Sequence, residues 1–224
     1  MKIYYILLSL RPLQWIKNLI IFIPIFSSHL FKLENFLLCS VGFVSFSLAA
    51  SSCYLLNDYL DRKKDIFHPI NKDRPIASGK INFNDIFLTQ MVLIFFNFLI
   101  LFYLNNQFFF YIIISYYFLN IFYSLILKKI FLIDIIILST FYIIRIISGK
   151  YLINSDISLF LLSFALLSFL YISCLKRYSE ISSKKFLFRS STRAYKIKHK
   201  NFLLSLSIGS VVSSSVILFY YFIF

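Results

Sequence analysis

The chain has 224 residues, of which 60% are hydrophobic, and 23 Lys and Arg against 9 Asp and Glu give a net charge of +14. Its mean hydropathy is +0.82. These values exclude a soluble globular domain. The basic residues fall between apolar runs, so the charge speaks for membrane topology and anionic lipid, and not for nucleic acid.

A helical span needs ~20 apolar residues to cross ~30 Å of hydrocarbon. Seven runs answer to this, at 18–33, 36–56, 86–104, 108–127, 130–148, 158–175 and 202–223. The first is the weakest, because Pro24 interrupts it and Lys17 and Asn18 stand at its start. No small-residue cleavage site follows an early apolar core, so no removable signal peptide is read. The expectation is an all-α, multi-spanning helical bundle forming a single transmembrane domain over 1–224, with long polar loops at 57–85 and 176–201.

With seven spans the basic residues sort to one side. Lys2, Arg11 and Lys17 precede or open the first span. Arg62, Lys63, Lys64, Lys72, Arg74 and Lys80 follow the second, and Lys128 and Lys129 follow the fourth. Lys176, Arg177, Lys184, Lys185, Arg189, Arg193, Lys196, Lys198 and Lys200 follow the sixth. The opposite side holds only Lys32 and Lys150. The positive-inside rule makes the basic side cytoplasmic, in a bacterial inner membrane. Cys39, Cys53 and Cys174 are dispersed in or beside apolar runs and read as packing residues.

The chemistry concentrates after the second span. Asn57-Asp58-Tyr59-Leu60-Asp61-Arg62-Lys63-Lys64-Asp65 precedes His68-Pro69 and Lys72-Asp73-Arg74-Pro75-Ile76-Ala77-Ser78-Gly79. If the first part is helical, Asn57, Asp61 and Asp65 stack at successive turns, and Asp58 lies on the same side. Like charges so placed are best tolerated around a divalent cation, and such oxygen ligands suit Mg²⁺ shared with substrate phosphates. Asn57, Asp58, Asp61 and Asp65 are therefore the expected metal set. Arg74 and Lys72 are expected to hold phosphate, with Gly79 allowing close backbone approach. A solvated, mixed-charge face is the bland alternative.

The later spans carry further candidates. Lys17, Asn18, Tyr123 and Lys128 lie at span ends, where they either line a substrate cavity or serve as ordinary interfacial residues. Arg145 sits inside a span, where a charge is costly; it either binds substrate or snorkels outward. Asp134 lies near the other end of the same span, too far along it to pair with Arg145.

The pattern N-D-x-x-D-x-x-x-D at Asn57–Asp65 resembles the UbiA superfamily of membrane prenyltransferases. Arg11-Pro12-Leu13-Gln14-Trp15-Ile16-Lys17-Asn18, the stretch His68 to Gly79, Tyr123-Ser124-Leu125-Ile126-Leu127-Lys128 and Arg145-Ile146-Ile147-Ser148-Gly149 are similar to one branch, the decaprenyl-phosphate phosphoribosyltransferases. The resemblance implies Mg²⁺-dependent transfer of 5-phosphoribose from phosphoribosyl diphosphate to a polyprenyl phosphate. Asp58, Asp61, Lys17, Tyr123 and Lys128 would form the catalytic group. Asn18, Lys72, Arg74, Arg145, Lys176, Arg177 and Glu180 would bind substrate.

Typical members resemble one another in a second acidic motif; the matching place here reads Lys176-Arg177-Tyr178-Ser179-Glu180. Two cations in place of acids suit phosphate held without a second metal; positive-inside anchoring is the bland alternative. Relatives carry nine transmembrane helices, so this resemblance implies that the last two are absent here. The alternatives are ordinary prenyl transfer from a prenyl diphosphate, and a non-catalytic paralogue or transporter.

Overall fold

A computed structural model describes residues 2–68, 70–182 and 194–223. Lys184, Lys185, Arg189, Arg193 and Pro69, named above, lie outside the described residues. The helices are α1 (Lys2–Ser9), α2 (Ile23–Ser27), α3 (Leu33–Asp65), α4 (Phe83–Leu104), α5 (Gln107–Leu125), α6 (Ile133–Leu152), α7 (Leu159–Ser182) and α8 (Lys200–Ile223). Among the described residues, 7 segments are long and apolar enough to cross a membrane. The all-α reading and the span count hold, and the chain is an integral membrane protein.

Two boundaries differ from expectation. The first crossing segment runs from Lys2 to Ser27, not from residue 18. It is built of α1, a 3₁₀ segment Pro12–Phe22 and α2. Arg11, at the junction of α1 and the 3₁₀ segment, has φ 54° and breaks the helix there. The apolar pattern placed this span too late because Arg11, Lys17 and Asn18 interrupt it, and the partners of Arg11 and Asn18 are distant in sequence. Second, the polar stretches at 57–85 and 176–201 are not loops throughout. Helix α3 continues to Asp65 and α7 to Ser182.

At 33 residues, α3 is the longest element among the described residues. At ~1.5 Å per residue it is about 50 Å long, against ~30 Å of hydrocarbon. The Asn57–Asp65 motif is therefore a helical extension that carries its side chains beyond the apolar zone. Small residues fill its buried face: Gly42, Ser45, Ser47, Ala49, Ala50, Ser51, Ser52 and Cys53. Small residues let membrane helices approach closely where no hydrophobic force drives them together.

The chain divides into two compact units. The first comprises residues 1–125 with 145–156, and the second 126–144 with 157–224. In the first unit, α3 packs against the 3₁₀ segment, α4 and α5. Leu55, Ile76, Ile81, Ile86 and Leu93 form a core there, with Tyr5, Ile6, Leu10, Leu48 and Tyr59 packed against it. That core seats the connection after α3 against the end of the helix. Lys2 Nζ pairs with Asp85 at 2.9 Å, joining the start of α1 to the start of α4.

In the second unit α7 packs chiefly against α8. Ile135, Cys174, Ile181, Tyr195 and Leu203 form its core. The three cysteines are buried and unpaired by disulfides, as packing residues would be.

Gly149 marks a close approach in the first unit. A Cβ there would collide with the Ile21 carbonyl and press on the Pro24 ring. Nothing lies within 4 Å of a Cβ built at Gly209 on α8. Gly149→Ala should therefore cost about 1–3 kcal/mol through overpacking, whereas Gly209→Ala should leave stability unchanged or raised. Thermal melting of the purified protein in detergent measures both; equal melting points would refute the close approach.

Candidate functional site

The end of α3 is an ion-pair cluster. Asp58 is only 3% exposed. Its two carboxylate oxygens accept from Arg11 Nη2, at 2.5 and 2.7 Å. Arg74 Nη1 donates to Asp58 Oδ1 at 3.0 Å and to Asp65 Oδ2 at 2.8 Å. Two carboxylates seven residues apart thus share one face of the helix and converge on a single guanidinium nitrogen. Asp58 and Asp65 lie on the same side of the helix, as the spacing anticipates. Asn57 and Asp61 are half-buried on the same helical extension.

The connection after α3 is shaped to deliver Arg74. His68 Nδ1 accepts the backbone N–H groups of Ile70 and Asn71, at 3.2 and 3.1 Å. That makes Nδ1 the unprotonated ring nitrogen and fixes the tautomer. Asn71 Nδ2 donates to Asp65 Oδ1 at 2.9 Å, and the Arg74 N–H donates to the Asn71 carbonyl. Gly79, at φ 72°, turns the chain back toward α4. His68 is used here to hold this turn. Lys72 is exposed at its surface.

Arg11 is the functional candidate missing from the sequence-derived site. The one signal available was its basic charge beside a proline, which does not distinguish an anchor from a site residue. Its left-handed backbone conformation is uncommon for a residue with a side chain, and such strain concentrates at functional sites. Its guanidinium also lies over the Tyr54 ring, 5.2 Å from the centroid.

Deeper in the first unit is a second polar group. Arg145, 4% exposed, donates from Nε to Asn18 Oδ1 at 2.7 Å and from Nη2 to the Tyr116 hydroxyl at 3.2 Å. It lies over the Phe46 and Tyr116 rings. Asn18 Nδ2 donates to Ser47 Oγ at 3.0 Å. Arg145 therefore does not snorkel outward; aromatic faces and an amide satisfy it inside the bundle. Lys17 and Tyr123 are half-buried in this unit.

In the second unit Arg177 is 1% exposed. Its Nε and Nη2 donate to the two oxygens of Asp134. Its Nη1 donates to both oxygens of Glu180, at 3.0 and 2.9 Å. The guanidinium fork expected to grip phosphate is spent on carboxylates, and it ties α7 to α6. The physical reason is Asp134, whose separation of 43 residues from Arg177 hid the pair. Tyr195 lies beside this pair, and burial, followed by the nearby Asp134 charge, pushes its hydroxyl above the ordinary phenol range. Lys176 is exposed, and Lys128 is buried.

Among the described residues, no group of three or more His, Cys, Asp or Glu side chains is placed to hold a metal ion by itself. The four-residue metal set expected from the spacing is thus not assembled. The convergence of Asp58 and Asp65 on one cationic nitrogen is nonetheless what Mg²⁺ asks of a protein: one or two carboxylates, with substrate phosphates and water completing the shell.

A transmembrane helical bundle with an N-D-x-x-D stripe on a protruding helix end defines a class, and the UbiA prenyltransferase family model matches residues 20–223. The chain belongs to that family. It is 27% identical over 212 residues to the decaprenyl-phosphate phosphoribosyltransferase of Mycobacterium tuberculosis, covering 91% of this chain and 70% of that one. It is 29% identical over 174 residues to the nodulation protein NoeC of Azorhizobium caulinodans. It is likewise 29% identical over 173 residues to the uncharacterized protein y4nM of Sinorhizobium fredii. The alignments take in 56% of NoeC and 33% of y4nM. A UbiA homolog from Archaeoglobus fulgidus, solved bound to GPP and Mg²⁺, superposes with a TM-score of 0.81 at 15% identity, over 98% of this chain and 78% of that one. At that identity the likeness establishes the fold.

Breaking one side of a buried ion pair leaves an uncompensated charge and costs about 3–5 kcal/mol. Arg177→Met or Asp134→Leu should therefore lower the melting temperature by roughly 10 °C, at ~2–4 °C per kcal/mol for a chain this size. Lys176→Ala should leave it unchanged. An Arg177→Met protein that melts like wild type would refute the anchoring role.

Proposed function

We propose that this chain is a membrane transferase that moves 5-phosphoribose from phosphoribosyl diphosphate to a polyprenyl phosphate, working with Mg²⁺ at the cytoplasmic face. The observation that carries this reading is the concentration of guanidiniums and carboxylates in one cluster. Arg11 and Arg74 lie within hydrogen-bond distance of the carboxylates that a divalent cation would use. A site with guanidiniums interleaved among its acids suits a donor carrying several phosphates. The similarity to decaprenyl-phosphate phosphoribosyltransferases over most of the chain supports the same substrate class.

In this reading Asp58 and Asp65 hold the cation, with Asp61 and Asn57 beside them. When bound, the cation would offset charge on the departing diphosphate. The protein's own part is positioning and electrostatic stabilisation. Arg11 and Arg74 grip diphosphate oxygens, and the His68 turn keeps Arg74 aimed at α3. Lys72 supplies a further cation for the sugar phosphate. Lys17, Asn18 and Tyr123 position donor or acceptor, and Arg145 holds Asn18 in place. In the second unit Lys128 keeps its catalytic assignment and Lys176 a phosphate-binding one, while the Glu180 carboxylate is held by Arg177. The acceptor's phosphate oxygen attacks the anomeric carbon of the sugar as diphosphate leaves. Polyprenyl phosphate reaches this chemistry from the bilayer in which the helices are embedded.

The acidic stripe makes two different predictions. Asp61→Ala should abolish turnover with little change in melting temperature. Asp58 is buried between two guanidiniums, so Asp58→Ala should lose both activity and stability; Asp58→Asn, which keeps the shape, should still lose activity by at least about a hundredfold. Membranes carrying each variant are incubated with labelled phosphoribosyl diphosphate, polyprenyl phosphate and Mg²⁺, and label entering lipid is counted. Wild-type membranes that ignore this donor but consume labelled prenyl diphosphate would replace phosphoribosyl transfer with prenyl transfer.

Orientation has its own test. A cysteine introduced at Ser78 in a cysteine-free background should be labelled only from the cytoplasmic side. Labelling of intact cells by an impermeant reagent would reverse the topology.

A further inference from the structure

The cluster on α3 poses a problem for metal binding. Asp58 and Asp65 bring two negative charges, and Arg11 and Arg74 bring two positive ones, so these four side chains sum to zero without any ion. Both oxygens of Asp58 are chelated by Arg11. The point where Asp58 and Asp65 converge is filled by Arg74 Nη1. A dication entering alone would meet two guanidiniums within a few ångströms, in surroundings that screen charge poorly. It would raise the four-group sum from zero to +2. A dication arriving with a diphosphate brings its own negative charge, and the displaced guanidiniums find phosphate oxygens to donate to.

Burial decides which arginines can make such an exchange. The side chains of Arg11 and Arg74 are 21% and 29% exposed. That of Arg177, which holds two carboxylates in the same manner, is 1% exposed and has nowhere to move. Arg11 also occupies a left-handed backbone conformation at the break between α1 and the 3₁₀ segment, so its side chain is carried by a junction and not by a regular helix.

We propose that Arg11 and Arg74 are exchangeable counter-ions: they occupy the carboxylates of Asp58 and Asp65 until a metal–diphosphate complex binds, and then transfer to its phosphates. The cluster thereby admits metal and diphosphate together and resists metal alone. This rests on reading the stripe as a metal–diphosphate site. It adds a dual role for the two arginines and an obligatory coupling between the two ligands. By linkage, pyrophosphate must strengthen metal binding by the same factor as metal strengthens pyrophosphate binding.

The test uses the full chain in detergent, with Mn²⁺ as probe, and measures bound Mn²⁺ by electron paramagnetic resonance with and without inorganic pyrophosphate. Wild type should bind Mn²⁺ at least about tenfold more tightly when pyrophosphate is present. Arg74→Gln and Arg11→Gln should bind Mn²⁺ alone about tenfold more tightly than wild type and lose most of the pyrophosphate enhancement, since one charged hydrogen bond is of that order. Arg74→Lys, which keeps the charge, should stay close to wild type in Mn²⁺ affinity. Should the Gln variants fail to fold, the wild-type comparison still decides: equal Mn²⁺ affinity with and without pyrophosphate overturns the exchange. Folded Gln variants that bind Mn²⁺ no more tightly than wild type overturn it too. No specific Mn²⁺ binding under either condition would overturn the metal–diphosphate reading itself, and the exchange with it.

Discussion

Charge neutralisation at the end of α3 is the constraint around which the first unit is built. Asp58 and Asp65 share a helix face, and two buried carboxylates need cationic or hydrogen-bonding partners. Arg11 arrives from the first crossing segment and Arg74 from the connection after α3. Each requires its own local device. For Arg11 it is the break that ends α1. For Arg74 it is the His68 and Asn71 turn, backed by the Leu55, Ile76 and Ile81 core. The carboxylates therefore organise chain segments that apolar burial alone would leave undirected.

Helix length places this cluster. A helix of 33 residues exceeds what a bilayer requires, so its final turns stand clear of hydrocarbon while its middle packs. The small residues at its centre let the 3₁₀ segment, α4 and α5 close around it. The same stretch thus supplies a rigid post for the charged groups and a dense seam for its neighbours.

The second unit uses the same chemistry for a different end. Arg177 again joins two carboxylates, but it is sealed from solvent, and Asp134, Glu180 and Tyr195 surround it. A sealed guanidinium held by internal carboxylates is a brace. Exposure separates the two arginine sites more sharply than residue type does. It is also why a motif read as Lys-Arg followed by Glu carried two meanings before the partners were visible.

The spans could be read from the sequence because hydrocarbon imposes length and apolarity on each helix separately. The Asn57–Asp65 stripe was legible too, because helical spacing alone brings its acids to one side. These are local properties, and the chain states them directly. The exception was the first span, where Arg11, Lys17 and Asn18 break the apolar pattern. What the acids meet was not legible. Arg11 is 47 residues from Asp58, Asn18 is 127 from Arg145, and Arg177 is 43 from Asp134. Pairing across such distances leaves no periodic trace, because it depends on which helices pack together. The sequence alone determined a membrane helical protein of this family with an acidic stripe. Tertiary packing decided that Arg145 holds Asn18 inside the bundle, that Arg177 is a brace, and that two arginines stand guard over the stripe, because only packing brings distant opposite charges into a shared low-dielectric site.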